Sequence, residues 1–241
     1  MSKTSDQYEK DVAQHLRSMN IDADRPRVSV KYSDIKVKIS EISTWIEVKM
    51  NHTDNLGNTR ISYVNGSWIA ANPIDPLKKF AISSLTNSEQ TNIFLEDIAE
   101  FSRKDYQNMI IPSTKGLLKH NNAVPYERVV EYFKDRPQYI LSITDVDIGD
   151  LVTSHYLEAK KEPAHYMQAG DDFYRIGPTN PLGLPDDIPS LSGIKGNFRV
   201  RISIRSPKSR FYEIQPEVKI SSMPNSKYSI KPNTSKENPF R

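Results

Sequence analysis

Ser33-Asp34-Ile35-Lys36-Val37-Lys38-Ile39, followed by Thr44-Trp45-Ile46-Glu47-Val48-Lys49-Met50, is the stretch that decides how this chain is read. In the first segment the apolar Ile35, Val37 and Ile39 alternate with Lys36 and Lys38, the two-residue period of a half-buried strand. Asp34 stands at the mouth of that strand. Ser40-Glu41-Ile42-Ser43 supplies a turn, and Thr44 to Met50 reads as a second strand. Glu47 and Lys49 then share one face and Val48 takes the other. A hairpin of this kind brings Asp34 near Glu47, with Lys49 one pleat further along. Two carboxylates and a lysine converging on a strand pair can hold a divalent cation and activate a water beside it, the chemistry of metal-assisted phosphodiester hydrolysis. Trp45, Ile46, Val48 and Met50 pull this strand toward a core, where a glutamate and a lysine are costly unless paired or metal-bound. The alternative is a solvent-facing Glu/Lys pair on an amphipathic strand, with Asp34 as a turn residue.

Tyr8, Val12, Leu16 and Met19 recur at helical spacing, which predicts a helix over residues 5–19 with one apolar face and Ser5 as N-cap. Glu9, in Tyr8-Glu9-Lys10-Asp11-Val12, lies on it. A helix with Glu9, a strand opened by Asp34, a short turn and an apolar strand with Glu47 and Lys49 together resemble the PD-(D/E)xK nuclease superfamily. The resemblance covers about the first 65 residues. It implies an α/β, restriction-endonuclease-like fold, a mixed sheet flanked by helices. It also implies that Asp34 and Glu47 ligate metal, that Lys49 orients or polarises the attacking water, and that Glu9 assists through a metal-bound water or a second site. Ser33 departs from the proline that often precedes the family's aspartate. The activity implied is endonucleolytic hydrolysis of DNA. Hard oxygen ligands select Mg2+, with Mn2+ able to substitute. Cutting both strands of a duplex calls for two active sites, so a homodimer is attractive, although no residue demonstrates it.

Composition bounds the rest. A chain of 241 residues has room for one large domain or two small ones. No window approaches the ~18–20 uninterrupted apolar residues of a membrane span. The segment Met1-Ser2-Lys3-Thr4-Ser5-Asp6 lacks an apolar signal, so a cytoplasmic protein without a membrane partner is expected. The absence of cysteine excludes disulfides, thiolate metal sites and cysteine nucleophiles. The net charge of +3 is unevenly spread. From Lys195 onward eleven basic residues face three acidic ones, a local +8 that leaves −5 for residues 1–194. Such asymmetry suits a polyanion partner.

Further along, Arg60–Val64 and Trp68–Ala71 read as short strands around the turn Asn65-Gly66. Residues 76–104 read as two helices, and Pro125 opens another over residues 125–133. Tyr139–Ile143 reads as a strand, residues 163–190 as loop with short strands. Asp145, Asp147 and Asp150 lack the glutamate and spacing of an EF-hand and read as a loop capping the next helix. His15 reads as a packed or exposed side chain, and His155 and His165 have no partnering motif for zinc. Asn197–Ser206 alternates Phe198, Val200, Ile202 and Ile204 with Arg199, Arg201, Ser203 and Arg205, a strand presenting three arginines on one face. Lys208 and Arg210 extend this basic set at a turn, and all five are candidate DNA-binding residues. From Ser221 no period survives, which predicts a disordered basic tail. The expected division is a nuclease core over 1–135, a mainly β, DNA-recognising accessory lobe over 136–220, and the tail over 221–241. The alternative function is a non-catalytic nucleic-acid-binding or assembly protein that uses the basic C-terminal lobe.

Overall fold

The computed structural model describes residues 4–26, 33–52, 54–58, 61–64, 67–70, 76, 79–80, 83, 111–112, 117–119, 141–204 and 211–241. Of the two helices expected over residues 76–104 only 76, 79–80 and 83 are among these, all helical; the helix expected over 125–133 lies outside them, as do the turns at 65–66 and 206–209. Helix α1 is Ser5–Ser18, and its cap is Thr4 rather than Ser5: the Thr4 hydroxyl accepts from the Gln7 amide at 3.3 Å. Tyr8, Val12, Ala13 and Leu16 form its buried stripe.

The chain divides into two compact units, residues 1–54, 147–196 and 220–241 in the first, 55–146 and 197–219 in the second. The first is built on a five-stranded mixed sheet. Strands β1 (Asp22–Asp24), β2 (Ile35–Ile39) and β3 (Ile42–Lys49) run antiparallel. In the second unit, β4 (Asn55–Asn58), β5 (Ile61–Val64), β6 (Ser67–Ala70), β7 (Ile111–Pro112), β8 (Leu117–Lys119), β9 (Leu141–Asp147), β12 (Lys195–Ile204) and β13 (Phe211–Ser222) form one sheet. Back in the first unit, a short helix α2 (Gly149–Thr153) runs into a π turn, Ser154–Glu158. Strand β10 (Ala164–Ala169) then pairs parallel with β3, and β11 (Asp172–Arg175) closes the sheet antiparallel to β10.

Register gives the sheet two chemically different faces. Ile35 pairs with Ile46 and Val37 with Thr44, while Tyr166 and Gln168 sit beside Ile46 and Val48. Ile35, Val37, Ile46, Val48 and Tyr166 join Tyr8, Val12, Ala13 and Leu16 in one apolar core. The opposite face carries Trp45, Glu47 and Lys49 on β3, with Met167 beside Glu47 and Ala169 beside Lys49. Helix α2 contributes the buried Val152, and the π turn the buried Tyr156. Gly149 makes the start of α2 possible, since a Cβ there would lie 2.4 Å from the Gly193 amide nitrogen.

Two expectations are corrected here, the domain boundary and the tail. The boundary at residue 135 does not divide the compact units, because β3 takes its parallel neighbour from residues 164–169 and the first unit therefore closes around an insertion. Residues 163–190, read as loop with short strands, hold β10 and β11 followed by loop, and in β10 Ala164, Tyr166, Met167 and Ala169 are buried. The tail from residue 221 is ordered into the first core. Tyr228 and Ile230 are buried, the Phe173 amide donates to the Tyr228 carbonyl, and the Ile230 amide donates to Gln168 Oε1. Tertiary hydrogen bonds with β10 and β11 replace the local periodicity that the segment lacks. Among the described residues no helix is long and apolar enough to cross a membrane.

Ile230→Ala should therefore cost about 2–5 kcal/mol in chemical denaturation, as for other fully buried aliphatic truncations. Ser235→Ala, at an exposed position of the same segment, should stay within about 0.5 kcal/mol of wild type. Equal stabilities for the two variants would restore the disordered tail.

Candidate active site

Ile35 opposite Ile46 is the last described pair of the β2–β3 ladder at that end, so one further step places Asp34 across from Glu47 on the same face. The hairpin turn is tighter than the sequence predicts. It comprises only Ser40 and Glu41, with Ser40 at φ 53°, and β3 begins at Ile42. Asp34 Oδ2 accepts the Val48 amide at 2.8 Å, which ties the mouth of β2 to the middle of the Glu47-Val48-Lys49 triplet. Lys49 Nζ lies 2.7 Å from Glu47 Oε1. The Tyr156 hydroxyl donates to that same oxygen at 3.4 Å. The structure thus brings Asp34, Glu47 and Lys49 together as the sequence predicts, and it adds Tyr156.

Electrostatics separates the two carboxyls. Burial, with the neighbouring Glu47 charge adding to it, pushes the Asp34 carboxyl up to about 8 against the opposing pull of Lys49 and the Val48 amide. Burial also acts to raise Glu47, which is only 5% exposed, but the Lys49 and Lys160 ammonium groups outweigh it and hold the carboxyl below its ordinary range. Lys49 goes the other way: burial favours its neutral form, yet the charge of Glu47, with Tyr156 and Asp34 behind it, holds it protonated. Burial raises the Tyr156 phenol well above its usual value, and the adjacent Glu47 charge adds to the rise. The site is therefore an ionised Glu47–Lys49 pair beside a neutral phenol and an aspartic acid that titrates near neutrality.

Glu47 Oε2 and Ser33 Oγ are both buried without a hydrogen-bond partner among the described residues. The Ser33 hydroxyl is close enough to favour the Glu47 carboxylate, but no hydrogen bond forms between them. A buried carboxylate oxygen left without a donor is costly, and a hard cation is a chemically fitting partner for it. Asp34 and Glu47 suit Mg2+ or Mn2+ in this respect. Among the described residues they belong to no group of three or more His, Cys, Asp or Glu able to hold a metal. Coordination would then be completed by water and substrate oxygens, the usual habit of Mg2+.

Glu9 falls differently. Its Oε2 accepts from Arg25 Nε at 3.0 Å and from Arg25 Nη2 at 2.6 Å. Asp6 takes the same guanidinium at 2.6 Å. Glu9 still adds a small upward push to Asp34, so it borders the site while serving an ion pair. Arg199 and Arg201 lie on β12 with side chains outside those described, and Arg205, Lys208 and Arg210 lie outside the described residues altogether. His165 Nδ1 is 2.7 Å from Thr44 Oγ1, and the His155 ring packs edge-on to Tyr156. Compared with protein-family models, curated proteins and solved structures, the chain matches none of them.

Tyr156 is the site residue that sequence reasoning missed. The one signal is the apolar stripe Ile148, Val152, Tyr156 at four-residue spacing, which marks a helix face but no chemistry.

A raised acid makes a pH signature. Folding lifts Asp34 from 3.8 to about 8, so the native state keeps a proton that the unfolded chain has released. Its contribution to stability is full below the unfolded pKa and declines as pH climbs toward 8. In EDTA, Asp34→Asn should flatten the decline in unfolding free energy between about pH 5 and pH 8, where one such proton changes stability by up to ~1.4 kcal/mol per pH unit. Parallel pH profiles for wild type and variant would show that Asp34 ionises freely in the folded protein.

Proposed function

We propose that the protein is a divalent-metal-dependent DNA endonuclease of the PD-(D/E)xK type, with a restriction-endonuclease-like core in its first unit. The observation that carries the reading is the meeting of Asp34, Glu47 and Lys49 on one sheet face, with Glu47 Oε2 buried and unpartnered. A helix bearing Glu9 and a mixed sheet with Asp34 and Glu47 on adjacent strands further support it.

Mg2+ or Mn2+, when bound by Asp34 and Glu47, would neutralise phosphate charge and lower the pKa of a coordinated water. The chain's own groups do the rest. Lys49 stays an ammonium, so it acts as a hydrogen-bond donor and not as a general base. One of its three protons faces Glu47 Oε1, and the others are available to orient the attacking water. Tyr156 fixes the same carboxylate from the π turn, leaving Oε2 as the ligand atom. Asp34 keeps its proton to higher pH than an ordinary carboxyl and would give it up on binding a cation near neutral pH.

Purified protein should nick or linearise supercoiled plasmid in Mg2+ or Mn2+ and leave it intact in EDTA. Asp34→Ala, Glu47→Ala and Lys49→Ala should each lower the rate by roughly 100-fold or more, the scale on which preorganised charges act. A fully active Asp34→Ala protein, or cleavage indifferent to EDTA, would overturn this reading.

A further inference from the structure

The π turn after α2 presents a second cation to the site. Its defining hydrogen bond runs from the Ala159 amide to the Ser154 carbonyl at 3.1 Å, five residues back. Such turns are uncommon and gather at functional sites. Tyr156 leaves this turn toward Glu47 Oε1. Lys160 stands two residues after Glu158, the last residue of the turn, its Nζ 5.6 Å from the centre of the Tyr156 ring.

Lys160 is placed oddly for a structural lysine. Its charge acts on buried Glu47 second only to that of Lys49, yet among the described residues it makes no ion pair. Glu47 Oε1 is already occupied by Lys49 and Tyr156. The ammonium thus rests on the face of an aromatic ring, half-buried, near a carboxylate it does not engage. A cation–π contact holds it there while leaving its N–H donors free. An incoming anion beside Glu47 would give those donors their acceptors.

We propose that Lys160 is a substrate contact, donating to a non-bridging oxygen of the nucleic-acid backbone as the phosphodiester enters the Asp34–Glu47–Lys49 site. This rests on the nuclease reading above and adds to it the residue that grips the phosphate. Lys49 is committed to Glu47, so of the two cations acting on that carboxylate Lys160 is the one without a carboxylate partner among the described residues. The contact reads charge and not base identity.

Binding of a short fluorescein-labelled DNA duplex, followed by anisotropy over a salt series in EDTA, tests this without any cleavage. Lys160→Ala should weaken binding several-fold and make the slope of log K against log salt shallower by about one. Lys160→Arg should restore the affinity and slope. Lys10→Ala removes an equal charge from exposed α1, where Lys10 pairs with Asp6, and should leave the slope unchanged. Circular dichroism and a thermal melt check that each variant is folded. If wild type binds duplex and nicks plasmid while Lys160→Ala keeps the wild-type affinity and slope, this inference falls and the nuclease reading stands. If wild type neither binds duplex nor cuts plasmid, the functional reading falls and Lys160 with it.

Discussion

Among the described residues one ammonium, that of Lys49, pairs directly with either of two neighbouring carboxyls, buried Glu47 and half-buried Asp34, and the rest of the site is arranged around that shortage. Lys49 satisfies Glu47 Oε1 directly and reaches Asp34 only through space. Glu47 wins the competition and stays ionised. Asp34 is left with a backbone amide as its donor and keeps its proton to higher pH. Removing either member of a buried ion pair is far costlier than the pair is worth, because the survivor is stranded. The strand therefore tolerates Glu47 and Lys49 only together. The same deficit of positive charge makes the place receptive to a cation or to a proton, whichever is offered.

The sheet separates this chemistry from stability. Its α1-facing side is a continuous apolar core, Ile35, Val37, Ile46 and Val48 against Val12 and Leu16. Its other side pairs polar Glu47 and Lys49 with buried Met167 and Ala169. Because a strand alternates its side chains, one hairpin serves both purposes with no extra backbone. The apolar surround also keeps the local dielectric low, which strengthens each charge interaction within it.

Much of this was legible in the sequence wherever pattern is local. Alternation in Ile35-Lys36-Val37-Lys38-Ile39 gave the strand and its buried face. The period of Tyr8, Val12 and Leu16 gave α1. Spacing within the triplet put Glu47 and Lys49 on one face, and a short turn put Asp34 beside them. What escaped is long-range. Nothing in Ala164–Ala169 announces that it will lie parallel to β3, since strand partners are chosen by packing and not by composition. Tyr228 and Ile230 sit among prolines, lysines and serines, and are held by hydrogen bonds to β10 and β11 that no periodicity encodes. Glu9 was read as a site residue by position, while its partner Arg25, sixteen residues away, could not be foreseen.

The π-turn tyrosine lies 109 residues beyond the glutamate it touches. A chain emerging from the ribosome presents Asp34, Glu47 and Lys49 early, but the strand and turn that enclose them come only after the intervening insertion. Closing so long a loop is slow, and the sheet edge of β3 stays open meanwhile. Until then its charged pair remains in water, where an exposed Glu and Lys interact weakly. The unusual acidity of the site is thus a property of the finished fold alone, absent from any shorter nascent piece, and it switches on in the step that brings β10 alongside β3.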